Sequence, residues 1–242
     1  MRVSVFLLTF FLIAATMAAD FQKKEQLNLE AEGIKTLKVD CAAGFLKISG
    51  IKESNVIAVQ ADIILNNIES DRAEEFLEKY LRLELIRDGN TARLVSQFDF
   101  KKSFFGSLFG ENPGGVVDLT VQVPEGMDVE VDDGSGFIVI KDLTSDVEID
   151  DGSGEITLKN ISGNIRIDDG SGEISIENIS GDVSIDDGSG EISIRNITGN
   201  VRIDDGSGSI NIDGVEKDVR IIDSGSGGEN IRNVKGRVIT QD

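Results

Sequence analysis

The chain has 242 residues, enough for one or two domains, and carries 44 acidic against 24 basic side chains for a formal charge of -20. A polyanion of this size repels phosphate backbones, so nucleic acid is excluded as a partner and cations or basic protein surfaces are favoured. The chain contains no His and no Trp, which removes Ser-His-Asp and Cys-His catalytic arrangements.

The first residues, MRVSVFLLTFFLIAATMAAD, place Arg2 before an apolar run and a small-residue zone at Ala15–Ala19. This is the pattern of a secretory signal peptide over residues 1–19, with cleavage after Ala18 or Ala19 and a periplasmic or secreted product. The alternative is an uncleaved segment anchoring the protein to the inner membrane. Its apolar stretch is short for a span of about 30 Å of hydrocarbon. Cys41 is the only Cys, so no internal disulfide forms, and a buried strand position is expected for it.

Residues 20–63 read as the first, diverged coils of a repeat. Within them Leu46 and Ile48, followed by Val56 and Ala58, match Ile192 and Ile194, followed by Val201 and Ile203. Residues 64–115 break the pattern as a small α/β insertion. Ser70-Asp71-Arg72-Ala73-Glu74-Glu75 predicts a helix start with a capping side chain, and Phe76, Leu77, Tyr80 and Leu81 an apolar face. Asp88-Gly89-Asn90 predicts a hairpin turn between strands 81–87 and 91–98. A stretch rich in aromatics follows, with Phe98, Phe100, Phe104, Phe105 and Phe109. These either cap the core or form an apolar patch for a partner.

From residue 116 the chain becomes regular. DDGSG begins at Asp132, Asp150, Asp168, Asp186 and Asp204, eighteen residues apart each time, and a sixth copy at Asp223 comes one residue late. A fixed period near twenty marks a solenoid. Each unit places five aliphatics at constant positions, for example Ile156, Leu158, Ile161, Ile165 and Ile167. They alternate with polar residues, the period of strands with one buried face. The fold class is therefore all-β: a parallel β-solenoid (β-helix) with 18-residue coils, two short strands and two turns per coil. One coil buries too little to offset the ordering of its own backbone, so the stack must fold cooperatively. Two further columns support the register. Lys159, Glu177, Arg195 and Asp213 alternate in sign. Asn160, Asn178 and Asn196 are placed to bond along the axis. The same Asn residues sit in glycosylation sequons, but turn geometry accounts for them.

The segment VQVPEGMDVEVDDGSGFIVI and the units GSGEISIRNITGNVRIDDGSG, behind a signal peptide, resemble a bacterial β-strand-repeat family, a domain of unknown function labelled adhesin. The resemblance spans about residues 35–240 and is weakest across the insertion. It implies a parallel solenoid on the outer side of the inner membrane and carries over no catalytic residues. Adhesion is what the label implies; the repeat itself does not show it.

The repeated corner has three readings. Asp accepts a backbone bond two residues on and Gly allows positive φ, so DDGSG makes a turn. Turn geometry leaves the acidity unexplained, because unit charges 4.8 Å apart repel by about 0.9 kcal/mol even in bulk water. A second reading is therefore weak Ca2+ binding by Asp150, Asp151, Asp168, Asp169, Asp186, Asp187, Asp204 and Asp205. Neither the EF-hand loop nor the nonapeptide calcium roll fits the spacing. The third is a polysaccharide-active enzyme with paired carboxylates. Acids repeated uniformly, with Phe137 the sole aromatic of the regular coils, argue against it. The expectation is a non-catalytic binding, adhesin-like or scaffold protein of the cell envelope. Its partner would be an envelope or extracellular protein or glycan, or a second copy. A calcium-binding structural module is the alternative, and no cofactor is expected apart from that Ca2+.

Overall fold

The computed structural model describes residues 21–66, 68–99 and 114–241. Residues 1–19, read above as a signal peptide, and Phe100, Phe104, Phe105 and Phe109 lie outside the described residues.

The described chain opens with β1 (Phe21–Glu30), β2 (Thr36–Cys41), β3 (Gly44–Ile51) and β4 (Val56–Asn66). Helix α1 (Ser70–Tyr80), β5 (Leu81–Asp88), β6 (Thr91–Phe98) and β7 (Gly114–Pro124) follow. The regular coils are β8 (Asp128–Asp133) with β9 (Gly136–Leu143), β10 (Val147–Asp151) with β11 (Gly154–Ile161), and β12 (Ile165–Asp169) with β13 (Gly172–Ile179). They continue as β14 (Val183–Asp187) with β15 (Gly190–Ile197), β16 (Val201–Asp205) with β17 (Gly208–Val215), and β18 (Val219–Ile221) with β19 (Glu229–Val234). β20 (Val238–Thr240) ends the stack.

The molecule is a parallel β-solenoid. One sheet runs β1-β4-β7-β3-β9-β11-β13-β15-β17-β19 and the other β20-β18-β16-β14-β12-β10-β8-β2-β6-β5. From β8 to β16 every strand pairs in parallel with the strand eighteen residues on, so Ile156 lies against Ile138 and Ile174, and Ile167 against Ile149 and Ile185. The column Ile138, Ile156, Ile174, Ile192, Ile210 is fully buried. Sheets of α/β proteins are covered on both faces and read as continuous apolar runs. Here each sheet faces water outside, and alternation survives because one file of β-branched residues fills the interior.

The amino-terminal region departs from the sequence reading. Only 36–51 of the span 20–63 forms a parallel coil, with Leu46 and Ile48 in the columns of Ile138 and Ile140. β4 runs antiparallel to both β1 and β7. Val56 and Ala58 are thus not core members; Ile57 and Val59 are buried instead. The register of β4 sets Val59 opposite Val121 and Ala61 opposite Leu119, and a shift of one residue exchanges the inner for the outer set, which the apolar pattern of residues 56–59 alone does not fix. The predicted hairpin is present, since β5 and β6 pair antiparallel across Gly89 and Asn90. β6, however, belongs to the stack rather than to an insertion, because it also pairs in parallel with β2. The coil β2–β3 therefore sits between β6–β7 and β8–β9, out of chain order.

Helix α1 forms where predicted, but no side chain caps it: Glu69 is the N-cap and makes no side-chain cap bond. Ala73 and Leu77 are its buried residues, and Leu81 belongs to β5. Phe76 packs against Tyr80 and Phe98, with ring centroids 4.8 and 6.2 Å apart. The ring of Phe98 also lies where a side chain on Gly115 would go. Phe98 is thus part of the packing that closes this end. The opposite end is more open. The late sixth corner shifts the last pairing by one residue, setting Glu229 against Ile210 and Thr240 against Ile221, while Val238 is 47% exposed.

Close stacking fixes the corner glycines. Gly172 has φ +152°, and a Cβ there would stand 1.5 Å from the carbonyl oxygen of Gly154 in the coil before. Gly172→Ala is expected to cost at least the roughly 1–3 kcal/mol of a strained backbone, read as a lower urea midpoint. Ser171→Ala, in the same corner but with an ordinary Cβ, should leave the midpoint within experimental scatter.

Candidate functional site

The alternation that buries Ile149 turns Asp150 outward and Asp151 inward, and this holds in each regular coil. Asp132, Asp150, Asp168 and Asp186 are exposed and Asp204 half-buried, whereas Asp133, Asp151, Asp169, Asp187 and Asp205 are at most 4% exposed. The eight residues suggested for calcium therefore form two files on opposite faces of one sheet, not one acidic edge. Among the described residues no group of three or more His, Cys, Asp or Glu side chains is placed to hold a metal.

The inner file makes the turn. The Oδ1 atoms of Asp151, Asp169, Asp187 and Asp205 accept the backbone N–H of Ser153, Ser171, Ser189 and Ser207 at 2.9–3.2 Å. Their Oδ2 atoms are buried and have no hydrogen-bond partner. Burial raises the carboxyls of Asp151, Asp169 and Asp187 to about 6, reinforced by the like charge of neighbouring coils. Asp133 and Asp205 are raised by burial too.

Register extends this file into the irregular coils. Cys41 lies opposite Asp133 and Ser96 opposite Cys41, so the sequence Asp40-Cys41 occupies the place of Asp132-Asp133. The Cys41 thiol hydrogen-bonds to Asp133, and burial followed by that carboxylate drives its pKa far up. Cys41 is buried as expected, and it is a polar member of a corner rather than an apolar filler. The match of VDCAAG to VDDGSG was the signal for this.

The opposite corner holds two ladders. Asn160, Asn178 and Asn196 occupy left-handed φ of 57–60°, which Asn tolerates better than most residues. Their amides donate down the stack: Asn160 to Asp142 at 2.9 Å, Asn178 to Asn160 and Asn196 to Asn178 at 3.0 Å. The second ladder went unread in the sequence. Asp146, Asn164, Asp182, Asn200 and Asp218 alternate acid and amide at eighteen-residue spacing. Each accepts the backbone N–H of the next: Asn164 to Asp146 at 2.7 Å, Asp182 to Asn164 at 3.0 Å, Asn200 to Asp182 at 2.7 Å. The intervening amides keep like charges from facing one another.

The outer face of the β9–β19 sheet carries short polar side chains in register: Thr157, Ser175, Ser193, Asn211 and Asn230. The charge column beside it is as predicted, with Lys159 and Glu177 paired at 2.8 Å. The row of Glu155, Glu173 and Glu191 leads back to Phe137, which is 56% exposed, and then to Phe45.

A family model described as Toastrack DUF4097 matches residues 83–241. The chain belongs to the Toastrack DUF4097 family. The match begins within β5 and includes the six corners; β2–β3, which pairs into the same stack, lies outside it. No curated protein matches the chain. Among solved structures, a candidate cell adhesion protein from Clostridium sporogenes is 16% identical, with a TM-score of 0.35 over 92% of this chain and all of that one. A candidate adhesin from Bacteroides fragilis is 12% identical, with a TM-score of 0.36 over 90% of this chain and 97% of that one. Likeness at this level assigns no activity to this Toastrack chain.

The Asn ladder gives a graded test. Asn178→Gly keeps the left-handed backbone and removes two amide bonds, at about 0.5–1.5 kcal/mol each. Asn178→Ala also forces a Cβ into that backbone and should lose roughly 1 kcal/mol more. Gly214, with φ +83°, already fills this place one coil beyond Asn196. Equal urea midpoints for the two variants would show that the backbone is not the constraint.

Proposed function

We propose that this Toastrack solenoid is a non-catalytic binding protein of the bacterial envelope, adhesin-like, acting outside the cytoplasm through the outer face of its β9–β19 sheet. The observation that carries this is the straight row of Thr157, Ser175, Ser193, Asn211 and Asn230 beside exposed Phe137. Rungs about 4.8 Å apart offer hydroxyls and amides at a regular interval to an extended polymer, a glycan or a protein strand. An exposed aromatic in the adjacent column, at the start of the row of Glu155, Glu173 and Glu191, supplies the apolar anchor that binding surfaces use. The amino-terminal pattern of Arg2, an apolar run and small residues supports export. Among the described residues, no helix is long and apolar enough to cross a membrane.

The test is retention on isolated envelope polysaccharide and on intact cells. Phe137→Ser combined with Ser175→Arg changes only the outer face and should leave the circular dichroism and unfolding midpoint in place. Binding should fall about tenfold, corresponding to about 1.4 kcal/mol. Unchanged retention would remove this face from the function.

A calcium module is the second reading, favoured by the outer file alone. Asp150, Asp168 and Asp186 stand in register, with no ion pair to any of them among the described residues. Adjacent carboxylates of that file could share a hard cation. Calorimetry separates the two readings: no heat and no thermal shift at millimolar Ca2+ would end the calcium one.

A further inference from the structure

The inner corner contains more acid than its turn requires. Each turn uses one oxygen of one Asp, and an Asn would supply that oxygen equally well. Yet five successive coils place a carboxyl there, Asp133, Asp151, Asp169, Asp187 and Asp205, all at most 4% exposed. Parallel register sets each beside the next at one strand spacing, about 4.8 Å. In four of the five the Oδ2 atom is buried and bare.

The groups that face this file are known from every packed element. On the β2 side stands the Cys41 thiol, with Asp40 beside it. Within the stack, the outer Asp132, Asp150 and Asp186 add negative charge next to Asp133, Asp151 and Asp187. Beyond Asp205 comes Asp223, which also accepts the N–H of Gly225. The neutral contributors are the N–H groups of the corner Gly and Ser residues. No Lys or Arg side chain bonds to an inner carboxyl among the described residues.

We infer that the file is a proton-binding site running along the rod, in which the unpartnered Oδ2 atoms take up protons and the charge state of each coil is coupled to that of its neighbours. Five closely spaced, desolvated carboxylates without a cation cannot all stay ionised. Solvent protons add to Oδ2 of some members, giving neutral acids that stand one strand spacing from ionised carboxylates and so relieve the repulsion between coils. The file then titrates as a unit, with each proton's affinity set by the state of the two coils flanking it.

The consequence is a rod whose cohesion follows pH. The unfolded chain releases these protons near 3.8, whereas the fold holds those of Asp151, Asp169 and Asp187 to about 6. Between those values the folded state binds more protons, so stability falls as pH rises. Below 3.8 both states are protonated and this contribution is fully present. Above about 6 it is lost, leaving buried charge in the corner.

Carbon-13 resonances of the Asp carboxyls in the full chain test the coupling, followed from pH 3 to 9. Asp151, Asp169 and Asp187 should titrate near 6, above the 3.8 of the unfolded chain, in broadened, multi-step curves. Asp169→Asn keeps the turn oxygen and removes one charge. It should shift the midpoints of both Asp151 and Asp187 downward, and raise the urea midpoint at pH 8 with little gain at pH 4. Asp205→Asn, near the end of the stack, gives the same reading for Asp187 alone if the central variant folds poorly. Inner carboxyls titrating near the 3.8 of the unfolded chain, or Asp187 unmoved in both variants, would overturn the inference.

Discussion

The structure depends on one constraint: each coil must lie in register on the coil before it. The aliphatic interior is continuous only because Ile138, Ile156, Ile174, Ile192 and Ile210 stand over one another, and likewise the four companion columns. No single coil buries enough to hold its backbone in place. Cohesion is a property of neighbours, as in other repeat stacks. The glycine corners follow from the same closeness, since a methyl group at Gly154, Gly172 or Gly190 would overlap the carbonyl of the coil beneath.

Identical stacking has an electrostatic consequence, because any charge written once per repeat meets its own kind. The chain resolves this differently at each place. On the outer face Lys159, Glu177, Arg195 and Asp213 alternate in sign. In the ladder from Asp146 to Asp218, acids alternate with amides and each side chain holds the next coil's N–H. Asn160, Asn178 and Asn196 avoid charge entirely. The DDGSG corner repeats acid on acid outside and inside, and its inner file does so out of reach of water, unlike the exposed row of Glu155, Glu173 and Glu191. A buried acidic file left in place stands out as something other than turn chemistry.

The two ends differ in kind. At one, antiparallel β1, β4 and β5 together with Ala73, Leu77, Phe76 and Phe98 close the core. Antiparallel pairing interrupts the parallel lattice, which would otherwise invite another coil. At the other end the register slips, and Glu229 and Thr240 take places that are aliphatic elsewhere. A charge at a core column weakens the final rung and blunts an edge on which further strands could add. The outer face of the regular coils is left as the long, uniform surface of the molecule.

The sequence alone determined the coil. An eighteen-residue period with period-two alternation allows only stacked strands of one inner face, so the columns, the two turns per coil, the Asn ladder and the alternating charges were all legible from positions such as Ile156, Asn178 and Lys159. It also held, unread, the Asp146–Asn164–Asp182 ladder and the kinship of Asp40-Cys41 with Asp132-Asp133. Tertiary structure decided what periodicity does not carry. Pairing register set Ile57 and Val59 inside in place of Val56 and Ala58, because a shift of one residue exchanges the two faces. Pairing order placed β2–β3 between coils that follow it in the chain, because stacking rewards complementary edges regardless of chain order. Burial separated Asp150 from its neighbour Asp151, giving two identical side chains different chemistry because one faces water and the other the interior of the stack.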